Sequence, residues 1–162
     1  IRFCLGAIRT VLVGNVTARV NLYLKLSRRL STESWFRRLL HRQMQAHGVH
    51  ISTKAQIGEG LRLPHPVGVV IGGGVIVGKN ATIFQNVTLG GGRIGAARTE
   101  GYPVIGDDVV IYAGAVVAGR IKIADRAKIG ANSVVLIDVP EDCTCVGVPG
   151  RIVSSNEAGE RT

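Results

Sequence analysis

The chain has 162 residues, which is enough for one domain with an accessory segment. Its hydrophobic content of 46% includes only 4% aromatic residues, which favours a core of stacked Val and Ile side chains. The net charge of +9 comes mostly from residues 1–50, which hold nine Lys and Arg and a single acid, Glu33.

These figures limit the classes of function. No apolar run reaches the roughly 20 residues that cross a membrane, so a membrane span is not expected. The basic segment lacks the interleaved aromatic residues that stack on bases, so no nucleic-acid partner is expected. Its charge could contact an anionic membrane surface, but a solvated helix face explains the charge more simply.

The cysteines Cys4, Cys143 and Cys145 favour neither a metal site nor a disulfide framework. A single C-x-C with no second pair and no nearby His is poor metal spacing, and three is an odd number for paired cysteines. Reduced thiols in a cytoplasmic protein are the simpler interpretation. The expectation is therefore a cytoplasmic protein without a bound metal.

Residues 1–48 are predicted to form an N-terminal helical segment. Its clearest helix runs from Thr32 to Ala46, with Ser31 as the N-cap and Gly48 as the stop after its last turn. Apolar residues recur in this helix at a spacing of four, beginning at Trp35. We expect this stripe to pack against the first coil of the repeat that follows.

A six-residue repeat occupies most of the chain from Ile51 to Val139. From residue 105 onward an aliphatic residue opens every unit, and a small or apolar residue follows four places later. The opening residues are Ile105, Ile111, Val117, Ile123, Ile129 and Val135, and the later residues are Val109, Ala115, Ile121, Ala127, Ser133 and Val139. A strict step of six does not keep residues on one face of a helix.

This period predicts a mainly β protein, a parallel β-helix built from hexapeptides, over residues 49–153. The opening side chains would point into a prism and stack from coil to coil, while the 22 glycines would serve the tight corners. Residues 154–162 are left as a C-terminal tail.

The repeat is interrupted twice. Its frame slips by two residues immediately after Leu63-Pro64-His65-Pro66, which predicts a bulge that re-aims a side chain. A Gly-rich loop without repeat character then covers about residues 91–104. In solenoids such insertions often lie on the binding face.

His65 is the candidate catalytic residue because it lies in the first interruption and is the one histidine inside the repeat. Imidazole suits proton transfer near neutral pH. The spacing alone is equally consistent with a corner residue that has no chemical role.

Three motifs resemble those of the serine O-acetyltransferase family. They are L-x-L-x-H-P-x-G from Leu61, the V-T-L-G-G run before the long loop, and G-V-P-x-R-I from Gly147. The resemblance covers about residues 48–153 and implies a left-handed β-helix that transfers an acetyl group from acetyl-CoA.

By position, the resemblance implies that His65 is the general base and that Gly91 lies near the thioester. It also implies a homotrimer with CoA bound between subunits, and a small hydroxyl compound as the acceptor. The implied CoA-binding residues are Ala113, Gly114, Lys128, Ala131 and Arg151.

Three positions depart from the family pattern. His50 stands where the family has the aspartate that orients the base, which makes His50 the possible orienting partner of His65. Pro64 stands where an aspartate helps to hold serine, and it is a candidate acceptor-binding residue. Tyr102, with Gly101, stands where the family loop carries an Arg-His pair, and it is the second candidate acceptor-binding residue. Another acid, a backbone carbonyl or water could therefore orient His65, or the enzyme could be weak.

Three hypotheses follow, and a metal-dependent hydratase is not among them because the coils after His65 contain no further imidazole. The first is an O-acetyltransferase that acts on a sugar hydroxyl of a surface glycan pathway. The alternative is a serine O-acetyltransferase of cysteine biosynthesis, against which the missing aspartates argue. The third is a β-helix that serves as a scaffold without catalysis.

Overall fold

The computed structural model describes residues 17–20, 22–23, 42–92 and 101–153. Residues 17–20, 22–23 and 42–46 are helical, and fourteen short strands follow. The strands are β1 (His50–Ile51), β2 (Gln56–Ile57), β3 (Val70–Ile71), β4 (Ile76–Val77), β5 (Thr82–Ile83), β6 (Thr88–Gly90), β7 (Val104–Ile105), β8 (Val110–Ile111), β9 (Val116–Ala118), β10 (Lys122–Ile123), β11 (Lys128–Ile129), β12 (Val134–Val135), β13 (Thr144–Val146) and β14 (Arg151–Val153). Among these residues no helix is long and apolar enough to cross a membrane.

The strands form three sheets, which are the three faces of a prism. Face A has the order β1-β3-β6-β9-β12, face B the order β10-β7-β4-β2, and face C the order β14-β13-β11-β8-β5. Each pairing within a face is parallel except that between β13 and β14. The predicted left-handed parallel β-helix with an N-terminal helical segment is confirmed.

The opening residues of the hexapeptides form the core. On face A, for example, Ile71, Leu89 and Val117 are successive Cα partners, and none is more than 1% exposed. Burying a side chain of this size contributes roughly 1.5–3 kcal/mol. Each coil therefore buries its own apolar surface only when the next coil is stacked on it.

The last unit of the repeat departs from the predicted frame. Val139 was expected as the fifth residue of the unit that opens at Val135, but it forms a parallel bridge with Ile123 on face B. The turn between faces A and B is therefore two residues shorter here than the six-residue step requires. Cys145 then takes the next core position, as the Cα partner of Ile129.

Both interruptions of the repeat lie at corners of the prism. Ile51 pairs with Ile71, twenty residues later, whereas Ile71 pairs with Leu89, eighteen residues later. The two extra residues lie between face C and face A, in the segment that contains His65. The long loop extends the turn from face A to face B, and the Gly92 N–H donates to the Gly101 carbonyl across its base (3.1 Å).

The N-terminal residues close one end of the prism. Val20, Tyr23, Met44 and Val49 are buried in the same cluster as the first coil. Gly48 has a φ of 74°, and the Val49 N–H donates to the Met44 carbonyl (3.0 Å), so the helix at 42–46 ends as predicted. Ser31 and Trp35 lie outside the described residues, and the domain boundaries stay a prediction.

Residues with left-handed backbone angles stack in columns at two corners. The corner from face B to face C carries Gly60, Asn80, Asp108, Arg126 and Asp142, and the corner from face C to face A carries Gly48, Gly68, Asn86, Gly114 and Asn132. A non-glycine residue in this region costs roughly 1–2 kcal/mol, which Asn and Asp partly offset with local hydrogen bonds.

Replacing Asn80 tests this corner. Asn80 has a φ of 57°, so Asn80→Val should lower the free energy of unfolding by at least about 1–2 kcal/mol, because a β-branched residue is strained there. The matched control, Asn80→Gly, should stay close to the wild type. Urea unfolding at a fixed protein concentration measures both, and equal losses would contradict the backbone explanation.

Candidate active site

His65 is presented to solvent by the bulge between faces C and A. Leu63 before it is fully buried and Pro66 after it is also buried, whereas His65 itself is exposed. The hydroxyl of Thr17 donates to the carbonyl of Pro64 (2.8 Å), which ties the N-terminal segment to this loop. The bulge therefore has an anchor on each side of the histidine.

Aromatic rings pack beside His65. The centroid of the Phe84 ring lies 6.3 Å from that of the imidazole, with the two planes tilted by 44°. Tyr112, one coil further on, stacks on Phe84 with centroids 5.5 Å apart and planes 17° apart. Within the described part of the chain, no carboxylate hydrogen bonds to His65.

Most of the predicted CoA-binding residues lie along the corner where face C meets face A, which also contains the His65 bulge. We call this corner the C–A edge. Its residues are Val67, Gln85, Ala113, Gly114 and Ala131. Backbone hydrogen bonds of 2.9–3.0 Å connect one coil to the next there, from Asn86 N–H to the Val67 carbonyl, Gly114 N–H to the Gln85 carbonyl, and Asn132 N–H to the Ala113 carbonyl. The structure thus brings Ala113, Gly114 and Ala131 onto the edge at whose head His65 lies.

Two basic candidates lie on face C, Arg151 next to the C–A edge and Lys128 next to the opposite corner. Lys128 is the first residue of β11, and Arg151 is the first residue of β14, the antiparallel strand that ends the face. Both side chains are exposed. They add positive charge to face C, towards the far end of the prism from His65.

Gln85 adds an unsatisfied acceptor to the C–A edge. Its Oε1 atom is buried and has no hydrogen-bond partner among the described residues. A buried acceptor without a partner costs about 1–3 kcal/mol.

Gly91 and Tyr102 lie together at a different corner, where face A meets face B. A Cβ on Gly91 would lie 3.3 Å from Cζ of Tyr102, and one on Gly72 would lie 2.9 Å from Cε1 of the same ring. The ring therefore packs over two glycines and is partly buried against the core. Face A lies between this corner and His65.

His50 does not contact His65 in the described structure. It is exposed on β1, where its N–H donates to the Val69 carbonyl (2.8 Å), and it lines an open groove with Gln45 and Ser52. The residue that touches the His65 imidazole is Phe84 and not the predicted partner.

Among the described residues, the groups with clearly shifted pKa values lie in the last coils. Hydrogen bonds from Arg126 lower the pKa of Asp142, and the same ion pair raises the pKa of Arg126. Burial raises the pKa of the Cys145 thiol, which suits a core residue and not a nucleophile. In the described residues no three His, Cys, Asp or Glu side chains could hold a metal ion together.

Comparison with known proteins is consistent with this geometry. The family described as bacterial transferase hexapeptide (six repeats) matches residues 102–136. A serine acetyltransferase of Synechococcus elongatus is 46% identical over 117 residues, which are 72% of this chain and 47% of that protein.

Solved structures of serine acetyltransferases are also similar. The soybean enzyme complexed with serine is 41% identical with a TM-score of 0.66, and the match covers 84% of this chain and 55% of that one. A serine acetyltransferase in complex with CoA is 37% identical with a TM-score of 0.66, over the same shares of the two chains. This chain is a serine acetyltransferase-like hexapeptide-repeat protein. It spans about half the length of the relatives that it matches.

Sequence reasoning missed Phe84 and Tyr112 in this serine acetyltransferase-like chain. Both stand directly after the opening residue of their hexapeptide, in I-F-Q-N-V-T and I-Y-A-G-A-V. Equal positions in adjacent coils are stacked in a β-helix, so the alignment of the repeat could have predicted their contact. Thr17 carried no comparable signal because it lies outside the repeat.

Replacing Tyr102 tests whether its ring or its hydroxyl stabilises the fold. Because its ring fills the space over Gly72 and Gly91, Tyr102→Ala should lower the free energy of unfolding by roughly 1–3 kcal/mol, less than a fully buried aromatic residue would. Tyr102→Phe keeps the ring and should leave stability unchanged. Chemical denaturation measures both variants, and a similar loss in each would assign the stabilisation to the hydroxyl.

Proposed function

We propose that this protein is an acetyl-CoA-dependent O-acetyltransferase in which His65 is the general base. The observation that carries the proposal is the position of His65, exposed on a bulge at the head of the C–A edge. That edge is lined by small residues at Ala113, Gly114 and Ala131, which allow an extended ligand to approach the backbone closely.

The reaction would proceed by direct transfer. The imidazole of His65 takes the proton of the acceptor hydroxyl. At the same time the hydroxyl oxygen of the acceptor attacks the thioester carbonyl of acetyl-CoA. The tetrahedral intermediate then collapses, the C–S bond breaks, and the imidazolium returns its proton to the departing CoA thiolate. General-base assistance of this kind contributes typically ~10²–10⁴-fold to the rate.

The C–A edge has the features that a CoA arm requires. The arm contains amide N–H donors, and a turn of the Gln85 side chain would bring to them the Oε1 acceptor that lacks a partner among the described residues. The exposed side chains of Lys128 and Arg151 provide positive charge for the phosphates on face C. A serine acetyltransferase of related structure is known as a complex with CoA.

The complete site is proposed to form between copies of the chain. His65 lies before strand β3 of face A, and Gly91 lies directly after strand β6 of the same face. One chain therefore holds its proposed base and its thioester glycine at opposite edges of face A. The outward positions of that face include Val70, Val116 and Val134, and Val70 is 39% exposed. A homotrimer that packs these faces would bring His65 of one copy towards Gly91 of the next.

The comparisons favour serine as the acceptor, because the matched relatives are serine acetyltransferases and one similar structure contains serine. A sugar hydroxyl is the second candidate. Serine carries both an ammonium and a carboxylate, whereas Pro64 beside the base has no charge to pair with either group. A neutral acceptor requires no such partner.

Release of free CoA from acetyl-CoA tests the reaction and the acceptor together. Wild-type protein should release CoA when L-serine is present, and His65→Ala should lower kcat by roughly 10²–10⁴-fold because the general base is lost. A panel of amino sugars and plain sugars is assayed in parallel.

The control is Asn80→Gly, which alters a corner away from His65 and should keep full activity. Release of CoA with a sugar but not with serine would show that the acceptor is a sugar hydroxyl and reject serine. Full activity of His65→Ala would reject the proposed base.

Mixing two inactive variants tests the site between copies. His65→Ala and Gly91→Asp should each be inactive alone, and co-refolding equal amounts should restore about a quarter of the wild-type sites, since a site then needs one intact residue from each copy. Gel filtration confirms that the variants assemble. Absence of any recovery from mixed assemblies would place both residues in a site made by one chain.

A further inference from the structure

The imidazole of His65 is packed against an aromatic column and not against an acid. Phe84 contacts it with a centroid distance of 6.3 Å, and Tyr112 stacks behind Phe84 at 5.5 Å. The part of the chain that the structure describes offers His65 no hydrogen bond to Asp or Glu. A base in the usual acyl-transfer arrangement is oriented by a carboxylate, which also steadies the imidazolium.

An aromatic ring can supply part of both effects. Its contact with the imidazole limits rotation of the histidine side chain, so that the nitrogen stays aimed at the acceptor. The face of an aromatic ring also attracts a nearby cation, by about 0.5–1 kcal/mol at an exposed site. The centroids of His65 and Phe84 are 6.3 Å apart, at the limit of the range for this attraction, so the main contribution of the Phe84 ring is to restrain the imidazole.

The column holds Phe84 in place by the register of the repeat. Phe84 and Tyr112 directly follow the Cα partners Ile83 and Ile111, whose side chains are fully buried. The Phe84 N–H donates to the Ile111 carbonyl (3.0 Å), so the two aromatic residues cannot shift relative to each other. On the other side of the bulge, Thr17 holds the Pro64 carbonyl.

We propose that Phe84, supported by Tyr112, is the positioning residue that orients His65 in place of a carboxylate. This inference rests on the proposed role of His65 as the general base. It assigns to Phe84 an effect on the rate of acetyl transfer without a contact to acetyl-CoA or to the acceptor.

The test is Phe84→Leu, which removes the ring and keeps an apolar side chain. Its kcat should fall by roughly tenfold or more, because a misaimed base lowers the rate of the chemical step, while KM for acetyl-CoA stays unchanged. Phe84→Tyr keeps the ring and should restore kcat. Tyr112→Leu removes only the support and should give a smaller loss.

A spectroscopic measurement reports the contact itself. The NMR signals of the His65 ring, identified by their absence in His65→Ala, should show a ring-current displacement in the wild type that Phe84→Leu abolishes and Phe84→Tyr retains. The control is Asn80→Gly, which alters the corner from face B to face C and leaves the aromatic column intact. Its kcat should equal that of the wild type.

The outcomes separate this inference from the proposed function. If His65→Ala keeps full activity, the proposed base is rejected. If His65 is essential but Phe84→Leu keeps the wild-type kcat, or Phe84→Tyr fails to restore it, the positioning role is overturned. Should Phe84→Leu fail to fold, an unchanged kcat in Tyr112→Leu would overturn the role equally.

Discussion

The stacking of one coil on the next is the constraint on which the rest of this molecule depends. Each strand contains two or three residues, too few to be stable alone, and each gains its partners only from the coils before and after it. The backbone ladder and the buried aliphatic columns fix the same register, so Ile83 opposes Ile111 and Ile111 opposes Ile129. A residue in one coil is thereby aligned with its equivalents in all the others.

This rigid register explains why the candidate site residues His65 and Gly91 lie where the repeat is broken. A regular coil directs its outward side chains at fixed intervals and leaves no room for a special geometry. Two extra residues lie around His65, and ten lie between Leu89 and Val117. Both insertions are at corners of the prism, where the six-residue step does not fix the backbone. The regular coils between them then supply a straight edge whose small residues can receive an extended ligand.

The same register aligns aromatic rings beside His65. Pro64 and His50 stand at positions where an acid is expected, and the aligned rings of Phe84 and Tyr112 are packed beside His65. The separation of His65 from Gly91 by face A also has a physical reason, because a three-sided prism must place successive corners apart. The proposed site, which needs both residues, would be completed by a second copy.

The sequence by itself determined the β-helix, both interruptions and the candidate base, because a six-residue period and its breaks are local features that can be read along the chain. The family resemblance also assigned Ala113, Gly114 and Ala131 to a CoA groove, and the structure places Ala113 and Ala131 at equivalent corner positions. Only the tertiary structure decided that Phe84 and not His50 contacts His65, that Gly91 lies on another edge, and that Val139 joins face B. These facts depend on which corner each turn reaches and on side-chain contacts between coils, and a linear period does not contain either.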